Sequence, residues 1–152
     1  MKLVFLDFDG VLNSTEYMLS DRPTARERGG VMGLDPLAVA RLNRLIKATS
    51  AEVVVTSVVR HRKRRTELCD ILNERGFVGT VRGMTPWLNL DHGRGLEIQA
   101  WLDESARRLG PIEFVILDDD TDMHHLLPRL VKTSFETGLT DADVDQAILM
   151  LT

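Results

Sequence analysis

One cysteine, Cys69, is all that this 152-residue chain contains, so no intrachain disulfide can form. Cys69 falls in a helical pattern, Glu67-Leu68-Cys69-Asp70-Ile71-Leu72, where a half-buried structural thiol is the expected reading. Aromatic residues are scarce at 5%. No apolar run approaches the ~20 residues that span a bilayer. The N-terminal apolar run is too short for a secretory leader and is broken by Asp7. Neither an internal repeat nor a low-complexity tract interrupts the chain. These absences point to one ordinary globular domain, 1–152, expected in the cytoplasm without membrane attachment. The 43% hydrophobic and 28% charged residues agree with that class.

Charge of one sign is concentrated. The net charge is −4, yet Arg60, Arg62, Lys63, Arg64 and Arg65 place five cations within six residues. The rest of the chain holds the other 14 basic residues against 23 acidic ones. A local basic patch on an acidic protein predicts an anionic partner.

Short apolar runs alternate with helical periodicity. Strands are expected at 3–6, 52–56, 77–81, 113–117 and 130–133. Helices are expected at 36–48, with Asp35 as N-cap and Pro36 in the first turn, at 62–74, 95–109 and 141–151, and a short one at 122–127. Almost wholly apolar strands separated by single helices predict an α/β fold with a mainly parallel five-stranded sheet covered on both faces. Ligands of such sheets bind beyond the carboxyl ends of the strands. Residues 14–33, with Gly29-Gly30 and Gly33, form the one long irregular stretch and are expected to be a flap or loop insert.

The strand at 3–6 ends in Asp7-Phe8-Asp9-Gly10. Alternation in an extended chain puts Asp7 and Asp9 on one side, and Gly10 permits a sharp turn. Two acids held together at a strand end repel each other unless a cation or a reaction uses them. A calcium loop would continue with further oxygen ligands, whereas Val11 and Leu12 are apolar. The strand at 113–117 likewise runs into Asp118-Asp119-Asp120, a crowding that a hard cation with oxygen ligands resolves. The strand at 52–55 runs into Thr56-Ser57, whose hydroxyls can donate to an anionic oxygen or cap a helix. Arg94 stands at the start of a predicted helix and could hold an anion as a bidentate donor, with Arg60 as its competitor.

The hydrophobic strand followed by D-x-D-G-V-L resembles motif I of the haloacid dehalogenase (HAD) superfamily of aspartate-nucleophile phosphohydrolases. Thr56 resembles its motif II, with Ser57 the fallback, Arg94 its motif III, usually a Lys, and Asp118-Asp119 its motif IV. The resemblance implies a three-layer Rossmann-like fold and Mg²⁺ as cofactor. It implies Asp7 as nucleophile and Asp9 as general acid and base. Metal would be held by Asp7, by Asp9 through its carbonyl, and by Asp118 with Asp119 in support. Phosphate would be held by Thr56 or Ser57, Arg94 and the turn at Gly10. Asp120 and Asp122 are expected to cap the following helix.

A narrower resemblance runs through Thr56-Ser57-Val58-Val59-Arg60, Thr85-Pro86, the segment from Arg94 through Glu97 and Trp101 to Leu102, Leu117-Asp118-Asp119-Asp120, and Gly138-Leu139-Thr140. These are similar to the small HAD domains of the Swiss Army Knife RNA repair group, which commonly has Trp where this chain has Val59. Between the motifs there is no room for a cap domain, which favours a large substrate such as a nucleic-acid end. Arg60, Arg62, Lys63, Arg64 and Arg65 are the expected nucleic-acid contacts, and the few aromatics near them argue against sequence-specific reading. The rivals are a phosphatase for nucleotides or sugar phosphates and a non-catalytic HAD-like interaction module.

Overall fold

A computed structural model describes residues 1–29 and 33–152. Gly30, from the glycine pair of the expected flap, lies outside the described residues. Five strands form one all-parallel sheet: β1 (Lys2–Leu6), β2 (Glu52–Val55), β3 (Val81–Met84), β4 (Glu113–Asp118) and β5 (Leu130–Lys132). Their order across the sheet is β3-β2-β1-β4-β5. Among the described residues six α-helices connect or flank them: α1 (Thr15–Leu19), α2 (Ala25–Arg28), α3 (Pro36–Thr49), α4 (Arg65–Glu74), α5 (Arg94–Leu109) and α6 (Asp141–Leu151).

The pleat sorts the apolar residues between two cores. Val4, Leu6, Val53, Val55, Val115 and Leu117 face α3, α4 and α6, which contribute Leu42, Leu45, Leu68, Leu72 and Val144. Leu3, Phe5, Val54 and Ile116 face the other way, against Ile98 and Trp101 of α5 with Met123 and Leu126. Helices on both faces of a parallel sheet give the three-layer, Rossmann-like HAD architecture that the motifs imply. No described helix is long and apolar enough to cross a membrane.

Two expectations are corrected. The third strand lies at Val81–Met84 and not at 77–81. Phe77 instead closes α4: its N–H donates to the Leu72 carbonyl while Gly76, at φ +91°, donates to Asn73. That pair of bonds is a Schellman closure, and its apolar residue imitates a strand in the sequence. The helix expected at 62–74 begins only at Arg65, and a 3-10 turn, Val58–His61, precedes it. Asp35 caps α3 as expected, its carboxylate accepting from the Leu37 N–H at 2.9 Å.

Residues 14–29 are less irregular than their composition predicts. Ser14 caps α1, Thr24 caps α2, and the two helices meet where the Tyr17 hydroxyl donates to Glu27 at 2.7 Å. Glu27 is buried and also pairs with Arg75 of the α4 C-cap.

Candidate active site

Register alone builds the site. Leu6 of β1 is level with Val55 of β2 and Leu117 of β4. The residues one step further, Asp7, Thr56 and Asp118, therefore form a row across the carboxyl end of the sheet. Backbone bonds continue there: Asp7 N–H to the Leu117 carbonyl at 3.1 Å and Thr56 N–H to the Leu6 carbonyl at 2.8 Å. Thr85 beyond β3 and Thr133 beyond β5 extend the row by donating to the carbonyls of Val55 and Asp118. All five side chains are buried.

Arg94, the first residue of α5, reaches into the middle of that row. Its Nη1 lies 3.0 Å from Thr56 Oγ1, 3.0 Å from Asp118 Oδ2 and 3.5 Å from Asp7 Oδ1. Carboxylate oxygens of Asp7, Asp118 and Asp119 lie within 4.8 Å of one another. Burial and Asp7 push Asp118 up to about 8, against the opposing pull of Arg94. Burial also raises Asp7, although Arg94 and the Phe8 N–H, 2.9 Å from Oδ1, draw it back. Arg94 loses charge stability to burial, yet Asp7, Asp118 and Asp122 together outweigh this and raise its pKa. The cluster thus has more negative charge than one guanidinium balances. An all-oxygen donor set with surplus charge fits a hard divalent cation such as Mg²⁺.

The turn after β1 sets the rest. Asp9 is exposed, and its Oδ1 accepts from Asn13 Nδ2 at 2.8 Å. Its carboxylate stands outside the three-acid group, so only its backbone carbonyl remains for the metal role implied by the motif. Gly10 has φ +79°, and a Cβ there would come within 2.6 Å of the Asp119 carboxyl carbon. The Gly10 N–H donates to Asn13 Oδ1 at 3.0 Å, and its carbonyl accepts from Thr133 Oγ1 at 2.6 Å. Glycine is required here by conformation and by the approach of Asp119.

Other expected residues sit elsewhere. Ser57 is buried, and its Oγ accepts from the Val59 N–H, which caps the 3-10 turn rather than facing the acids. Arg60 is corrected from a nucleic-acid contact to an internal strut. It is 7% exposed and donates to the carbonyls of Thr56, Ser57, Thr85 and Pro86 and, at 2.8 Å, to Glu97. The charge run hides this because burial is set by the turn that follows β2. Arg62 and Arg64 are exposed, Lys63 is half-buried, and Arg65 donates to the Val81 carbonyl at 3.2 Å. Arg64 also pairs with Glu67.

Asp122 caps α5 rather than the helical turn that follows it, taking the Arg94 N–H on Oδ2 and the Gly95 N–H on its carbonyl. Asp120 accepts only from the adjacent Thr121 N–H. Gly95 packs so closely under this loop that a Cβ would fall 2.3 Å from the Met123 carbonyl oxygen. The sequence reading missed Asn13, Thr133, Gly95 and Glu97. Asn13 alone has a local signal, an amide three residues after a turn glycine.

A family model described as the HAD domain in Swiss Army Knife RNA repair proteins matches residues 3–144. No curated protein and no solved structure matches the chain.

Proposed function

Since the chain belongs to the family of HAD domains in Swiss Army Knife RNA repair proteins, a hydrolase of the phosphatase type at the family level, we propose that it is a Mg²⁺-dependent phosphatase. Its turnover runs through an aspartyl-phosphate on Asp7, and its substrate is a large phosphorylated molecule, a nucleic-acid end. The observation that carries this reading is the row of Asp7, Thr56 and Asp118 with Arg94 among them.

Asp7, Asp118 and Asp119 would hold the metal. When bound, Mg²⁺ offsets the charge of the acids and of the phosphoryl oxygens. Arg94 and Thr56 donate to those oxygens and orient the phosphorus for in-line approach. A carboxylate oxygen of Asp7 attacks phosphorus, and the bond to the leaving oxygen breaks. Asp9 gives that oxygen its proton. In the second half, Asp9 takes a proton from water, the water oxygen attacks phosphorus, and the bond to Asp7 breaks. Inorganic phosphate leaves, with Asp7 a carboxylate and Asp9 protonated again. Asn13 donates to Asp9 Oδ1, which leaves Oδ2 to carry the proton.

Two features support a large substrate. Among the described residues, the interval from β1 to β2 holds α1, α2 and α3 and that from β2 to β3 a 3-10 turn and α4, too little for a separate domain over the strand ends. Arg62 and Arg64 lie exposed on the turn that leaves the Thr56 strand. The test is phosphate release with and without Mg²⁺ from phosphorylated oligonucleotides, nucleotides and sugar phosphates. Asp7→Asn is expected to lower turnover by on the order of 10⁴-fold or more. Undiminished turnover in that variant would remove Asp7 as nucleophile, and faster turnover of free nucleotides or sugar phosphates would remove the macromolecular substrate.

A further inference from the structure

Trp87 is 61% exposed, whereas the chain's other tryptophan, Trp101, is buried in the core. Phe135 is also exposed, at 54%, but an exposed tryptophan ring held in a fixed orientation offers a contact surface. One face of Trp87 is already used: the His61 ring stacks on it with centroids 4.2 Å apart and planes 22° from parallel. The two rings come from different loops, His61 from the 3-10 turn after β2 and Trp87 from the segment after β3.

Arg60 fixes both loops from beneath. It donates to the carbonyls of Thr56 and Ser57 at the foot of one loop and to those of Thr85 and Pro86, immediately before Trp87, in the other. Glu97 completes the brace by accepting from Arg60 and from the Leu88 N–H at 3.0 Å. The ring pair is therefore held in place before anything binds. Burial, then Arg60, with a contribution from Arg94, lowers the proton affinity of His61, which keeps its ring neutral and suited to stacking.

Cations follow His61 in the chain and share its cavity. His61, Arg62 and Lys63 line a cavity of about 460 Å³ with Val58 and Val59. A flat ring beside positive charge, on loops that leave β2 and β3 at the end of the sheet where Arg94 meets Thr56, matches the parts of a nucleotide: a base with a π face and a charged backbone.

We propose that Trp87, braced by His61, is the stacking platform for the base at the phosphorylated end of a nucleic-acid strand, while Arg62 and Lys63 pair with its neighbouring phosphates. The proposal rests on the phosphatase reading and deepens it, because the substrate then needs a base as well as a phosphate. Stacking uses a surface that every base has, so the platform selects for a nucleotide and not for one base over another.

Two measurements test it on the full chain. In the first, tryptophan fluorescence of the Asp7→Asn protein is titrated with a phosphorylated oligonucleotide and with the same strand carrying an abasic residue at the phosphorylated end. Quenching by the first strand, weak quenching by the second and loss of the signal in Trp87→Leu are expected. Equal quenching by both strands, or a signal that survives Trp87→Leu, overturns the platform. In the second, kcat/KM is compared for the two strands with Mg²⁺. The base-bearing strand should be turned over about tenfold better. Trp87→Leu should bring that ratio close to one, and Trp87→Phe should keep most of it. A ratio that Trp87→Leu leaves at its original value overturns the proposal while the phosphatase reading stands. If wild type releases phosphate from no substrate, the phosphatase reading fails, and the fluorescence titration still decides the platform. Quenching by an unrelated protein ligand and not by the oligonucleotide would make the patch a protein contact and overturn the proposal.

Discussion

Two arginines lie under the same end of the sheet in opposite surroundings. Arg60 is enclosed by four backbone carbonyls and one carboxylate, and each of its contacts is a hydrogen bond inside the protein. Arg94 stands among Asp7 and Asp118, with Asp119 beside them, where acids outnumber it. Burial lowers the pKa of Arg60, partly offset by Glu97, whereas the acids raise that of Arg94 in spite of burial. The first arrangement is electrostatically closed and joins two loops. The second keeps unbalanced charge in a buried place, which folding alone does not favour.

Exchanging each arginine for methionine separates the two most strongly. Arg94→Met should lower kcat/KM for any phosphate by about 10² to 10³, the effect of losing one preorganised donor. With Mg²⁺ present to offset Asp7 and Asp118, its melting temperature should change little. Arg60→Met should do the reverse at the level of folding. Glu97 would be left buried without its cation, a loss of about 3–5 kcal/mol read by denaturant unfolding. Large activity loss with full stability in Arg60→Met would erase the distinction.

Proton and metal binding sharpen the same contrast at a smaller scale. The folded pKa of Asp118, about 8, exceeds the ordinary carboxylate value of ~3.9. Between those values the folded protein binds more protons than the unfolded one, so metal-free stability should fall as pH rises from about 4 to about 8. On the proposed reading Mg²⁺ would replace the proton, and it should raise the melting temperature more at pH 8 than at pH 5. At a hundredfold excess over its Kd the gain is about 2.7 kcal/mol. Thermal melts of wild type and Asp118→Asn, with magnesium or with chelator, check this. The variant should lose most of the pH slope, and an identical slope would assign it to other groups.

Next in size is the backbone support of the acids. Gly10→Ala forces a side chain into φ +79° and against the Asp119 carboxyl, at a cost of about 1–2 kcal/mol. Displacing Asp119 should also weaken Mg²⁺ binding, measured by calorimetric titration. Gly76, also at positive φ but with open space around it, isolates the conformational part, since Gly76→Ala should cost stability without touching metal affinity.

How far the sequence goes follows from which signals are local. The apolar strands at residues 3–6 and 113–117 and the acids after them are adjacent in the chain, so the two arms of the site were legible, and parallel register then sets them side by side. Thr56 was legible for the same reason. The third strand was misplaced because Phe77 looks like a strand residue while serving as a helix closure. Arg60 was misassigned because its partners Thr85, Pro86 and Glu97 lie 25 to 37 residues away. Asp122 was expected to cap the next helix and instead caps α5, 28 residues earlier. The ring pair of His61 and Trp87 has the same origin, two loops joined only by the fold. Long-range pairing, not composition, decides each of these.

The smallest expected effect tests whether the basic run divides as the structure divides it. Arg60 and Arg62 are two residues apart, yet one is enclosed and the other exposed. Replacing Arg62 and Lys63 together by alanine should shift stability by no more than about 0.5 kcal/mol, because neither holds the fold. If they pair with strand phosphates, each contributes about 0.7 to the slope of log affinity against log salt for a single strand. The double variant should therefore reduce that slope by roughly 1.4 for a phosphorylated oligonucleotide. Turnover of a small sugar phosphate, which has no neighbouring phosphates, should show no matching change in its salt dependence. A slope that stays at the wild-type value would mean that the exposed cations do not meet the substrate. The charge run would then have one structural member, Arg60, and an otherwise solvated surface. A reduced slope would mean that the turn after β2 uses one basic segment twice, inward to brace the loops and outward to hold the strand.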